Sequence, residues 1–240
     1  MSQTFSEVFL PGEPFPSATR VGPLVHGIRI GAHDQDGLEA QGKAALDKMI
    51  QSIEVAGGTK DNIAEVSFYF AEPRPGISAL NAAWVERFPK DDDRPTYKFM
   101  GAKLPSGQLV AIDYFAVVGE RRKVLHLPKV AHTNPIPMGV RIGEFLFSSR
   151  VLPQNPEDNT PGKTPIEQAD YAFRNAGELL RAGGMAWRDV VQCRAFIADP
   201  ASRPLIEHHW RNVGGQGVLH VSPYAGPPGL MAFVEIFARS

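Results

Sequence analysis

Two stretches decide the fold: Leu38–Gly58, LEAQGKAALDKMIQSIEVAGG, and Ile166–Gly184, IEQADYAFRNAGELLRAGG. Each reads as one amphipathic helix. In the first, Leu46, Met49, Ile50 and Ile53 fall at i, i+3, i+4 and i+7. In the second, Ile166, Ala169, Phe173, Ala176 and Leu180 advance in steps of three and four, which gathers apolar side chains on one helical face. Both run into Ala-Gly-Gly, and paired glycines are the usual stop signal of a helix.

Working outward, the flanks repeat as well. Thr19–Val25 (TRVGPLV) and Val140–Leu146 (VRIGEFL) are β-rich runs around a tight glycine turn, each ahead of its helix. Ile63–Ala71 (IAEVSFYFA) and Val190–Ala198 (VVQCRAFIA) are β runs behind it. A second, shorter helix follows each, with Trp84 and Trp210 in matching places. The strands Leu109–Val118 and Leu230–Ala238 close the two halves. Arg29 and Arg150 are 121 positions apart, Trp84 and Trp210 126, Asp113 and Glu235 122. Loops of unequal length account for the drift, the longest being the polar, proline-rich Gln154–Pro165.

The 240 residues therefore read as two domains, 1–120 and 121–240, meeting at the charged stretch Gly119-Glu120-Arg121-Arg122-Lys123. Each is β-β-α-β-α-β-β. Helices covering one face of a sheet make an α+β layer structure whose other sheet face is left for another partner.

Composition excludes several classes. Lys and Arg number 25 against 26 Asp and Glu, a net charge of -1, and the pI is about 6.7. A dedicated nucleic-acid binder shows a basic stripe or a pI above roughly 9, so nucleic acid is not the expected partner. The one cysteine, Cys193, excludes an intrachain disulfide, a cysteine-based zinc site and a CxxC redox pair. No run approaches the roughly 18 apolar residues of a membrane span. Met1–Arg20 lacks a basic segment followed by an apolar one, so no signal peptide is read there and the expected location is the cytoplasm.

The residues now carry a resemblance. Each half resembles the RidA/YjgF family of enamine/imine deaminases, through Asn134–Pro153 (NPIPMGVRIGEFLFSSRVLP), the two Ala-Gly-Gly helices, the FYFAEP and FIADP strand ends, and Leu104-Pro105 with the closing strands. The resemblance spans nearly the whole chain, twice. It implies a chorismate-mutase-like α+β fold, RidA-type, with the sheets of three domains packed into a barrel and active sites between neighbouring domains. It also implies cofactor-free hydrolysis of an enamine or imine to a keto acid and ammonia.

The sequence departs from the family pattern in several places. The family's carboxylate-binding arginine lies in a Pro-Ala-Arg-Ser/Thr stretch before a Leu-Pro turn. Here the first half reads Arg94-Pro95-Thr96-Tyr97, with the arginine about two residues early. The second half reads Val218-Leu219-His220-Val221, with none. The family's acid on the closing strand corresponds to Asp113 and Glu235. Its Ser-Gly-Gln turn reads Ile28-Arg29-Ile30 and Ser149-Arg150-Val151, arginine replacing glycine in both. The aromatic of its Gly-Pro-Tyr stretch corresponds to Ile136. These departures point to a specialised relative.

Hydrolysis of such a substrate needs a carboxylate anchor, a proton path and an oriented water. Arginine suits the first task, since its planar fork binds a carboxylate with two parallel hydrogen bonds. The candidate substrate-binding residues are Arg29, Arg150 and Arg94. Strand alternation sets Arg29 with Val25 and Gly27, and Arg150 with Leu146 and Ser148. Glu235 alternates with Met231, Phe233 and Phe237, and Asp113 with Leu109, Ala111 and Phe115. A carboxyl so flanked is partly desolvated, which suits acid–base work. The candidate catalytic residues are Glu235, Asp113 and His220, the last standing near the missing arginine. Each has a structural alternative: a salt bridge for the arginines, a charged loop for Arg94, a paired acid for Glu235, a strand-end histidine for His220. His208-His209 are neighbours on a helix and point apart, so no metal site is read, and no cofactor is required. Cys193 reads as core.

A barrel of three domains and a chain of two close together first as a trimer of chains, with a hexamer next. The expected partner is a small carboxylic acid. The extra arginines favour a longer, dicarboxylic one, such as a 2-aminomuconate-type intermediate of aromatic catabolism. The rival readings are a ligand-binding module that kept the cleft without the chemistry, and an endoribonuclease-type member of the family.

Overall fold

The computed structural model describes residues 5–225 and 228–240. Met1–Thr4, within the stretch read for a signal peptide, lie outside the described residues. The chain forms two compact units: Met1–Lys123 with Asn134–Ile136, and Val124–Thr133 with Pro137–Ser240.

The first half runs β1 (Phe5–Val8), β2 (Ala18–Val21), β3 (Leu24–Ile30), α1 (Gly37–Val55), β4 (Ile63–Phe70), α2 (Pro73–Arg87), β5 (Thr96–Gly101) and β6 (Val110–Val117). The second repeats it with β7 (Lys123–Leu125), β8 (Gly139–Ile142), β9 (Phe145–Ser148), α3 (Pro165–Ala182), β10 (Val190–Ile197), α4 (Arg203–Asn212), β11 (Val218–Pro223) and β12 (Ala232–Arg239). Each half thus opens with one strand more than the sequence pattern gives. β1 and β7 are four and three residues long, too short to show an alternation. The two six-stranded sheets share one order, β1-β2-β3-β6-β4-β5 and β7-β8-β9-β12-β10-β11. The last pair in each, β4–β5 and β10–β11, is parallel, because α2 and α4 carry the chain back across the sheet.

Alternation divides each sheet into two faces. Val110, Ile112, Tyr114 and Ala116 of β6 join Leu46, Met49 and Ile53 of α1 in one apolar core, and Trp84 packs there at 1% exposure. Ala232, Val234, Ile236 and Ala238 of β12 join Phe173, Ala176 and Leu180 of α3 in the other. Asp113, Phe115, Phe233, Glu235 and Phe237 take the opposite faces. Burying each large apolar side chain is worth roughly 1.5–3 kcal/mol, which fixes which face meets the helices.

Two polar devices recur. Gln41, buried on α1, donates to the carbonyls of Gln35 and Gly107 at 3.0 and 2.8 Å and accepts the Leu109 N–H at 2.8 Å. Gln168, buried on α3, donates to Gly162 and Gly229 at 2.7 and 2.6 Å and accepts the N–H groups of Met231 and Ala232 at 2.7 and 3.1 Å. Each glutamine ties its helix to the entry of its closing strand. Arg20 likewise donates to Gly22 and Ala56, and Arg141 to Gly143 and Gly183, holding the last carbonyls of α1 and α3. The left-handed cap glycines are Gly57 (φ 84°) and Gly184 (φ 69°). The Ala-Gly-Gly letters therefore align one residue out of step with the backbone they build. Gly57 answers to the second glycine of the later triplet.

Among the described residues no helix is long and apolar enough to cross a membrane.

Candidate functional site

Along β12, Glu235 lies on the face away from the helices and is 3% exposed. Its partner in register on β10 is Arg194. The Arg194 Nη2 to Glu235 Oε2 distance is 2.9 Å, a cross-strand ion pair. Arg150 approaches from the turn after β9, its Nε 3.8 Å from Oε1. A carboxylate this buried is stable only when charged partners replace its water.

Aromatic rings wall the group. Arg150 Nη1 donates to the Tyr224 hydroxyl at 3.3 Å, and its Cζ lies 5.4 and 5.2 Å from the ring centres of Tyr224 and Phe233. Phe233 stacks on Phe196 at 4.8 Å and meets Tyr224 edge-on at 5.0 Å. A guanidinium over aromatic faces gains cation–π attraction and stays oriented. The Arg150 turn is fastened on both sides of Glu235. Val151 N–H donates to Val234 O at 2.8 Å, and Ile236 N–H donates to Ser148 Oγ at 2.7 Å.

His220 is exposed on β11, in register with Arg194 and so on the same face. Cys193 is the preceding residue on β10 and faces the core. Burial, helped by the Glu235 charge, pushes its thiol up to about 12 and keeps it protonated.

The first half arranges equivalent positions differently. Asp113 Oδ1 accepts the backbone N–H of Arg29 at 2.6 Å. The Arg29 guanidinium sits 4.0 Å over the Tyr69 ring. Asp113 faces Ser67 across the sheet, where the second half has Arg194. The buried ion pair here is Lys98–Glu65, at 2.5 Å. His26 stacks on Phe115 at 4.2 Å. Burial lowers its pKa against the opposing charges of Asp113 and Glu65.

Arg94 is held in its own loop. Nε donates to Phe88 O at 2.7 Å, Nη2 to Pro89 O at 3.0 Å, and Nη1 pairs with Asp91. All three nitrogens serve that loop, and the side chain is buried rather than solvated.

The alternation assigned to the two turn arginines fails for a definite reason. The β3–β6 register shifts between Gly27 and Ile30, a β-bulge, and Arg29 has φ 54°. Val25 faces the core, and Arg29 does not share its face. Likewise Leu146 is a core residue, whereas Arg150 follows the strand and turns to Glu235 on the opposite face. A bulge re-aims a side chain and breaks the two-residue period.

The structure thus brings together Glu235 and Arg150, adds Arg194 and Tyr224, and separately brings Arg29 to Asp113. Arg194 carried a readable signal, a charge mid-strand in VVQCRAFI on the face opposite Cys193 and Ala195. Tyr224 lies past a strand end, where no periodicity points to it. Among the described residues no group of three His, Cys, Asp or Glu side chains could hold a metal ion.

Residues 129–214 match the model of the family described as Endoribonuclease L-PSP. Among curated proteins none matches the chain significantly. Of solved structures, a chorismatase is similar over 92% of this chain and 76% of its own, at 16% identity and a TM-score of 0.65. The YjgF gene product of E. coli is 18% identical over 49% of this chain and 98% of its own, with a TM-score of 0.45. E. coli TdcF, solved with bound serine, is 18% identical over 49% and 98%, with a TM-score of 0.46. At such identity the chorismatase likeness bears on fold alone.

Proposed function

On the match of residues 129–214 to the family described as Endoribonuclease L-PSP, we propose that the protein hydrolyses the enamine or imine of a carboxylic acid, releasing ammonia and a keto acid. The observation that carries this reading is the buried Glu235 between Arg194 and Arg150 on one sheet face. In the proposed reaction Arg150 takes the substrate carboxylate in its fork, assisted by His220 at the rim. Water adds to the imine carbon, its proton passing to Glu235. Glu235 passes that proton to the nitrogen, and the C–N bond breaks as the new hydroxyl gives its own proton to the departing nitrogen, leaving a keto oxygen and ammonia. Asp113 with Arg29 is the corresponding, weaker arrangement of the first half. Two guanidiniums beside one acid favour a dicarboxylic substrate, such as a 2-aminomuconate-type acid.

The test is ammonia release from 2-imino acids formed in situ by an amino-acid oxidase, one monocarboxylic and one dicarboxylic. The protein should accelerate release above the spontaneous rate, more for the dicarboxylic imine. No acceleration of either would overturn the reading. A second reading, ligand binding without chemistry, is favoured by one observation: Glu235 is already engaged by Arg194. It predicts keto-acid binding that Glu235→Gln leaves intact, with no turnover. The trimer of chains is part of the proposal, and light scattering at the mass of a single chain would remove it.

A further inference from the structure

Ser149-Arg150-Val151 and Ile28-Arg29-Ile30 are equivalent turns, yet their backbones differ. In both, the residue before the arginine donates its N–H to the residue just ahead of an earlier strand: Ile28 to Ser17 O at 3.2 Å, Ser149 to Met138 O at 2.9 Å. There the likeness ends. Ile28 is 55% exposed and Ser149 is fully buried. Arg29 takes a left-handed backbone, and Arg150 is not among the residues with positive φ. A further side chain reaches the later turn. His132 Nε2 lies 2.7 Å from Ser149 Oγ, and Ser149 Oγ donates to Met138 O at 3.0 Å. The imidazole is in addition hydrogen-bonded to the backbone of Arg150 itself. The chain His132–Ser149–Met138 thus meets the backbone at the residue next to Arg150.

The imidazole is also electrically quiet. Burial first, and the Arg150 charge second, lower its pKa to about 4. At neutral pH it is an uncharged donor and does not repel the neighbouring guanidinium. A lysine or a charged histidine there would compete with Arg150 for Glu235 or for an incoming anion.

We propose that His132 is a positioning residue: through Ser149 and through its own hydrogen bond to the Arg150 backbone it fixes the Arg150 turn, and so sets the angle at which Arg150 meets a substrate carboxylate. This rests on the reading of Arg150 as the anchor, and the experiment separates the two. Hydrogen–deuterium exchange of the amides of residues 149–151 is compared in the wild type, His132→Ala, His132→Gln and Ser149→Ala. His132→Ala and Ser149→Ala should speed exchange in that segment at least tenfold. The β10 amides should be unmoved. His132→Gln, whose amide N–H reaches the same hydroxyl, should restore the wild-type rate. The double variant should be no worse than His132→Ala, because the serine link is already lost with the imidazole. Unchanged exchange in His132→Ala overturns the proposal, with or without turnover.

Where imine hydrolysis is measurable, His132→Ala should raise KM about tenfold and leave kcat within about threefold, as a misplaced anchor does. Equal KM with faster exchange would mean that the turn is held but positions nothing, which also overturns the proposal. A wild type that neither turns over imines nor binds 2-oxobutanoate counts against the proposed function. In that case the exchange result still decides whether His132 holds the turn.

Discussion

Where the closing strands carry their acid, the two halves part ways. Glu235 faces Arg194 across the sheet and Arg150 from the turn. Asp113 faces Ser67 and is held by the Arg29 backbone N–H. The frame is the same in both: strand order, parallel last pair, helix-end arginine and buried glutamine. What differs around the acid is the face away from the helices. The difference teaches that frame and face are separately specified. Core residues and backbone-tying polar groups hold the frame. A few side chains at a bulge and on two strands set the face.

The sharpest way to break this comparison is by activity. Glu235→Gln should lower imine hydrolysis by 100-fold or more, the order expected for loss of a general base. Asp113→Asn should cost less than about tenfold. Comparable losses would mean that the halves are functionally alike. Circular dichroism must show both variants folded, because breaking a buried pair costs about 3–5 kcal/mol.

Next in size are the glutamines. Gln168→Ala removes four buried hydrogen bonds and Gln41→Ala three. At about 1 kcal/mol each, losses near 4 and 3 kcal/mol are expected in denaturant unfolding. Cys193 distinguishes the halves, since its protonated, buried thiol becomes reactive only when the second half opens. Gln168→Ala should hasten its labelling, and Gln41→Ala should shift only the unfolding that Cys193 does not report.

Acid should act in the same direction on both halves. His132 and His26 have lowered pKa values when folded, so protons favour the unfolded chain. Stability is full above the unfolded value of 6.5 and falls as pH drops toward the folded one, which for His132 is about 4. In a Trp84→Phe variant, fluorescence reports the second half through Trp187 and Trp210. Its denaturation midpoint should fall between pH 6.5 and 4, and His132→Gln should flatten the decline.

The smallest expected effect concerns the turns. A left-handed non-glycine residue costs roughly 1–2 kcal/mol. Arg29→Gly relieves this and gives up a cation–π contact worth about 0.5–1 kcal/mol, so first-half stability should rise by up to about 1 kcal/mol. Arg150→Gly should instead destabilise the second half, because it withdraws a cation from Glu235.

Much of this was legible in the letters. Leu46-Met49-Ile50-Ile53 and the run from Ile166 to Leu180 place both long helices, and the repeated order of segments gives two similar α+β halves. Glu235 and Arg150 could be named because each breaks an apolar pattern. What stayed hidden is non-periodic. β1 and β7 are too short to alternate, and the bulge at Arg29 breaks the period on which facing is read. Arg94 finds its partners in its own loop, and no sequence rule distinguishes those carbonyls from a ligand. His132 lies outside any strand or helix, so only the fold reveals its reach to Ser149.

The paired glutamines carry one more consequence. Gln41 bonds to residues 35, 107 and 109, and Gln168 to 162, 229, 231 and 232, so every partner lies within its own repeat. Each copy of the duplicated segment carries its own clasp. A lineage that holds two such copies can let the outer chemistry of one drift, from Glu-Arg to Asp-Ser or back, while the other keeps working.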